Sequence, residues 1–126
     1  MASLSQRQVF IVEDDADIRE SIMEVLRAGG IPVDSAATSH EALEKLRLLD
    51  PKPSLILLDL RLPGEDGFQF RKAQTLDPDL ANIPIVLLSA DTQIQEKRDR
   101  IGAIGHLKKP VDIDELLDTV RRIYRP

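Results

Sequence analysis

Cysteine is absent from the 126 residues. Without thiols there is no disulfide and no thiolate-bound metal. Long hydrophobic runs are missing too: the apolar stretches, such as Leu55–Leu58, are strand-sized and far short of the ~20 residues a membrane-crossing helix needs. The opening segment MASLSQRQ lacks the apolar centre of an export signal. Positive charge is scarce, with a formal net charge of −5 and no basic run longer than Lys108–Lys109, which argues against direct nucleic-acid binding. No repeat or low-complexity tract is visible. These absences predict a soluble, cytoplasmic protein.

The content fits one compact domain: 42% of residues are hydrophobic, enough for a buried core. The predicted unit is 1–126, with a core over about 8–124 and a flexible segment at 1–7. Short apolar runs alternate with amphipathic segments. Val9–Val12 ends abruptly in Glu13-Asp14-Asp15. Ile18, Ile22, Val25 and Leu26 then recur at helical spacing, and Gly29-Gly30 supplies a stop. A weak strand near Val33–Ala36 precedes a helix carrying Ala42, Leu43, Leu46 and Leu49. Leu55–Leu58 runs into Asp59, and turn signals at Pro63-Gly64 and Asp66-Gly67 lead to a helix through Phe68, Phe70 and Ala73. Ile83–Leu88 ends at Ser89, Thr92–Ile101 reads as an apolar-poor helix, and Leu107 marks a short fifth strand closed by Lys108-Lys109-Pro110. Ile113, Leu116, Leu117, Val120 and Ile123 form the clearest helical pattern.

Strands that do not alternate with polar residues are buried on both faces, which calls for helices above and below a parallel sheet. The expected fold is therefore α/β: a doubly wound, five-stranded, flavodoxin-like parallel sheet. Right-handed crossovers restrict the topology further.

Ligands of such sheets collect beyond the carboxyl ends of the strands. Those ends carry Glu13 and Asp14, then Asp59, Ser89 and Lys109. Each has a plain alternative. Asp14 or Asp15 could cap the first helix, a strand-end hydroxyl is commonly a turn-former, and most lysines are solvated. Asp59 is harder to dismiss, since it closes an apolar strand where a charge gains nothing structurally. Three carboxylates at ~5 Å would repel by about 3 kcal/mol per pair at an effective dielectric near 20. Mg²⁺, which favours few carboxylates, waters and a phosphate oxygen, offsets that. With Lys109 the formal charge sums to zero. The chemistry this favours is attack of an aspartate on phosphorus to give an acyl phosphate, helped by positioning and charge neutralisation.

The segments FIVEDDADIRE, LILLDLRLPGEDGF, IVLLSA and GAIGHLKKP, in this order and at these spacings, resemble the receiver family of two-component response regulators over about Val9 to Tyr124. The resemblance implies a strand order of 2-1-3-4-5 and a phosphorylation-activated switch rather than a turnover enzyme. Asp59 matches the phosphoacceptor, charged by a histidine kinase or a histidine phosphotransfer protein. Asp14 matches the direct Mg²⁺ ligand, Glu13 the partner acid acting through water, and the Arg61 backbone carbonyl a further ligand. Lys109 matches the lysine contacting the phosphoryl oxygens, and Lys109-Pro110 a peptide bond that is cis in the family. Ser89 matches the switch hydroxyl, and Ala90 the small residue that leaves room for phosphate. The domain is expected to be a monomer or weak homodimer.

His106 departs from the family's usual Tyr or Phe, which puts the standard hydroxyl–aromatic coupling in doubt; it is expected to follow the Ser89 shift with a smaller apolar gain. Arg61 and Asp91 stand two residues after Asp59 and Ser89, where the family tunes dephosphorylation. Their opposite charges are expected either to pair across the site mouth or to be solvated independently. With only Ile94 and Ile101 strongly apolar between Thr92 and Gly102, the fourth helix is expected to be weakly anchored, and output to be read from it, the fifth strand and the last helix.

Three rivals remain. An aspartate-nucleophile phosphatase of the haloacid-dehalogenase kind needs a second acid two residues after the nucleophile, where Arg61 stands. A flavodoxin-like cofactor binder would meet repulsion from Glu13-Asp14-Asp15. A phosphorylation-independent receiver-like binding module has no need of the intact acid set. The sequence leaves open whether the chain stands alone or is a piece of a larger regulator or hybrid kinase.

Overall fold

Runs rich in Val, Ile and Leu form the strands β1 (Val9–Val12), β3 (Leu55–Asp59) and β4 (Ile85–Ser89), with the weaker β2 (Val33–Ala36) and β5 (Gly105–Lys108) at the edges. A computed structural model describes residues 6–61 and 66–126. The turn expected at Pro63-Gly64 and most of the N-terminal segment expected to be flexible lie outside the described residues. The strands form a single parallel sheet in the order β2-β1-β3-β4-β5. In register, Val12 stands beside Ala36 and Leu58, Asp59 beside Leu88, and Ser89 beside Lys108.

The period-two alternation of the strands divides the interior into two cores. Phe10, Val12, Ile56, Leu58, Ile85 and Leu87 point to one face, covered by Ala42 and Leu46 of α2 (Ser39–Leu48), Phe70 of α3 (Gly67–Leu76) and Ile101 of α4 (Ile94–Ile101). Val9, Ile11, Leu55, Leu57, Val86 and Leu88 point to the other, covered by Ile22 and Leu26 of α1 (Ala16–Ala28) and Leu116 and Val120 of α5 (Ile113–Ile123). The sheet is thus apolar on both sides, as its uninterrupted strands require.

Four helices open with a side-chain cap: Asp15 for α1, Thr38 for α2, Asp66 in a capping box with Gln69 for α3, and Asp112 for α5. α1 stops where expected, with Gly30 in the left-handed region at φ 79°. Two boundaries differ from the sequence reading. β4 begins at Ile85 rather than Ile83, because the Ile83 amide is taken by the Leu80 carbonyl in a turn and Pro84 has no amide to offer the ladder. α4 begins at Ile94 rather than Thr92: Gln93, at its N-cap position, stands at φ −102° and ψ 29°, outside helical geometry, and its amide donates to the Asp91 carboxylate at 2.7 Å in the turn before the helix. No described helix is long and apolar enough to cross a membrane.

Candidate functional site

The β1, β3, β4 and β5 carboxyl ends converge as the parallel register demands. Carboxylate oxygens of Glu13, Asp14 and Asp59 all lie within 4.8 Å of one another. Glu13 is fully buried and Asp59 nearly so, while Asp14 is exposed. The two neighbouring aspartates have separate duties: Asp15 caps α1, while Asp14 lies beside the other acids.

Lys109, just after β5, reaches back over the acids. Its Nζ lies 2.5 Å from Glu13 Oε1 and 3.3 Å from Asp59 Oδ2. The Glu13 and Asp59 contacts hold the Lys109 ammonium above its usual pKa even though burial works against its charge. Asp59 Oδ1 accepts from the Arg61 amide at 3.0 Å, and Glu13 Oε2 from the Asp15 amide at 3.3 Å. Burial first, then the shared hydrogen bond with Asp59, push the Glu13 carboxyl up from 4.5 to about 7, with Lys109 pulling the other way. The Lys109–Pro110 bond is cis, as is Asp50–Pro51.

A divalent cation fits this arrangement. The donors are hard carboxylate oxygens, and Glu13 Oε1 is buried with no well-formed hydrogen bond beyond its ion pair to Lys109. A cation among the three acids would relieve the crowding that raises Glu13. The set can hold such an ion and an anionic group together.

Ser89 is buried at the end of β4, where its Oγ accepts from the Asp91 amide at 3.0 Å. Ala90 follows and is exposed. Asp91 neither pairs with Arg61 nor stands alone in solvent, the two alternatives the sequence offered. Its carboxylate is bound by Lys97 of α4 and by the Gln93 amide, which hold it below the usual carboxylate range, with Arg61 adding only a weak distant attraction. The Arg61 side chain is exposed. His106, on β5, is partly buried, and Arg98 Nη1 of α4 donates to its Nδ1 at 3.2 Å.

Sequence reasoning missed Lys97, Arg98 and Arg71. Arg71 Nε of α3 bonds the Ile101 carbonyl at 3.0 Å, and Arg71 Nη1 bonds buried Gln74 at 2.9 Å. The Arg71–Gln74 contact is an i,i+3 pair within α3. The links of Lys97 to Asp91, Arg98 to His106 and Arg71 to Ile101, however, span no fixed helical spacing, so no periodic pattern in the sequence could have revealed them.

The sequence profile of the response regulator receiver domain matches residues 9–121. Sporulation initiation phosphotransferase F of Bacillus subtilis is 32% identical over 126 residues, covering 98% of this chain and 97% of that protein. The phosphate regulon transcriptional regulatory protein PhoB of Escherichia coli is 35% identical over 124 residues, covering 94% of this chain but only 52% of that protein. The chain therefore spans about half of such longer regulators. The chemotaxis response regulator CheY4 of Vibrio cholerae superposes with a TM-score of 0.84 at 30% identity, covering 94% of this chain and 99% of that one. With the profile spanning nearly the whole sheet and its edge residues, the chain belongs to the receiver domain family of two-component response regulators.

Proposed function

We propose that the domain is a phosphorylation-activated switch in which Asp59 accepts a phosphoryl group from the phosphohistidine of a histidine kinase or histidine phosphotransfer protein. The observation that carries this reading is the meeting of Glu13, Asp14 and Asp59 within 4.8 Å, with Lys109 Nζ against two of them.

Mg²⁺, held by Asp14, Asp59, the Arg61 carbonyl and, through water, Glu13, would neutralise charge on the phosphoryl oxygens. An Asp59 oxygen attacks phosphorus, the P–N bond of the donor breaks, and the imidazole nitrogen departs with the bonding pair. Lys109 stands ready to leave its carboxylates for the incoming oxygens, and the Ser89 hydroxyl, which already accepts from the Asp91 amide, still has its proton to donate. Exposed Ala90 keeps the approach open. Positioning and charge balance supply the catalysis. The domain catalyses its own phosphorylation, and water attack on the acyl phosphate returns it to rest; it does not turn over a separate substrate.

Movement of Ser89 toward the phosphoryl group is relayed through the face of α4, β5 and α5. α4 buries only Ile94 and Ile101, so little apolar contact holds it in one place. His106 follows the Ser89 shift with its Arg98 contact in place of aromatic burial; unchanged phosphorylation-dependent partner binding in His106→Ala would remove that role.

Incubation with acetyl phosphate and Mg²⁺, followed by intact-mass measurement, tests the reading. Wild type should gain one phosphoryl mass and Asp59→Asn none. Equal labelling of both proteins, or of neither, would end it.

A further inference from the structure

Polar side chains tether α4 where apolar ones are few. Arg98 reaches His106 of β5. Arg71 of α3 holds the Ile101 carbonyl, and Arg100 sits over the Phe68 ring of α3, 4.8 Å from its centroid. Lys97 pairs with Asp91. Of these links, only the last runs to the segment that carries Ser89.

That segment is otherwise loosely joined to the helix. Gln93, at the N-cap position of α4, makes no side-chain capping bond. Residues 90–93 could absorb a displacement of Ser89 without moving α4. Asp91 prevents this: its amide donates to Ser89 Oγ at 3.0 Å, its Oδ1 accepts from the Gln93 amide at 2.7 Å, and its Oδ2 is paired with Lys97 Nζ. Both ends of the ion pair are well covered, with 26% of the Lys97 side chain and 15% of the Asp91 side chain exposed, so solvent screens it less than an ordinary surface pair.

We propose, resting on the reading of Asp59 as phosphoacceptor, that Lys97 is a positioning residue that acts through Asp91, making Ser89, the loop and α4 move as one body when the phosphoryl group is taken up. Removing its charge leaves the chemistry at Asp59 intact and lets the loop flex, so the helix no longer follows. An arginine in its place keeps a cation within reach of the Asp91 carboxylate.

The test compares amide hydrogen exchange over Ile94–Ile101 before and after labelling by acetyl phosphate and Mg²⁺, in wild type, Lys97→Met, Lys97→Arg and Asp91→Asn, with labelling followed by intact mass. Lys97→Met should be labelled like wild type, and in Lys97→Met and in Asp91→Asn the change in α4 exchange per labelled molecule should fall at least about twofold, while Lys97→Arg should retain it. A merely structural lysine would alter exchange equally in both states and leave the difference untouched; that outcome overturns the proposal alone. Labelled wild type with a silent α4 overturns it as well. Wild type that takes no label at all removes the phosphoacceptor reading itself. Far-UV circular dichroism and the labelling stoichiometry show whether each variant is folded, and Asp91→Asn reads the same link from its other end.

Discussion

Asp14 and Asp15 are adjacent in the chain but divided in purpose: Asp15 Oδ1 accepts from the amides of Asp17 and Ile18 at 2.9 and 3.1 Å, while Asp14 faces Glu13 and Asp59. Asp15→Ala should therefore cost about 1 kcal/mol of stability, the usual worth of a helix cap, and leave Mg²⁺ binding essentially intact. Asp14→Ala should do the reverse, with stability within about 0.5 kcal/mol and Mg²⁺ affinity lower by at least about tenfold. Urea unfolding and a Mg²⁺ titration on each variant check the division.

Glu13 makes the metal-free domain sensitive to pH. Its folded pKa is raised from 4.5 to about 7, so the native state binds more protons than the unfolded chain between those values. Its stabilising contribution is complete below pH 4.5 and lost as pH rises through about 7. Relative to Glu13→Gln, wild type in EDTA should lose on the order of 2 kcal/mol across that window. Chemical denaturation of both proteins at a series of pH values gives the difference directly. Because cation binding must expel the same proton, Mg²⁺ affinity should fall by up to about tenfold per pH unit below 7.

Removing a charge from the crowded acids trades function for stability. Asp59→Asn keeps an acceptor for the Arg61 amide, now at 3.0 Å, and relieves repulsion against Glu13 and Asp14. It should raise metal-free stability at pH 7.5 by about 1 kcal/mol and abolish most of the stabilisation Mg²⁺ gives wild type. Thermal unfolding with and without Mg²⁺ reads both effects.

Gly67 permits the close approach of α3 to the end of β3. A Cβ there would stand 3.1 Å from the Leu60 Cα and 3.3 Å from the Asp59 carbonyl oxygen. Both neighbours are backbone, so Gly67→Ala should cost about 1–2 kcal/mol and slow labelling of Asp59 by displacing it. Its urea midpoint and its labelling rate should fall together.

The sheet and the acid site were legible because each depends on short-range pattern. Leu55–Leu58 is buried on both faces because it is apolar at every position, and parallel strands with buried faces must bring their carboxyl ends to one edge. Once the order β2-β1-β3-β4-β5 is fixed, Glu13, Asp59 and Lys109 have to meet. The start of α4 was not legible: Thr92–Ile101 read as one apolar-poor helix, and nothing in the residue pattern shows that the backbone at Gln93 lies outside helical geometry, at φ −102° and ψ 29°. The partner of Asp91 was not legible either. Arg61 and Lys97 both offer a cation, and only the path of the loop places Lys97 against it.

The scarcity of apolar contact beneath α4 has an evolutionary side. A helix seated by Leu and Ile alone could change its outward residues only within the limits of a shared interior. Here the seat is a set of separate charged and aromatic links, to Asp91, His106, Arg71 and Phe68. Those to His106, Arg71 and Phe68 can each be exchanged singly while the two apolar layers stay as they are, so the outward residues of α4 can diversify without the framework that carries the acids having to change.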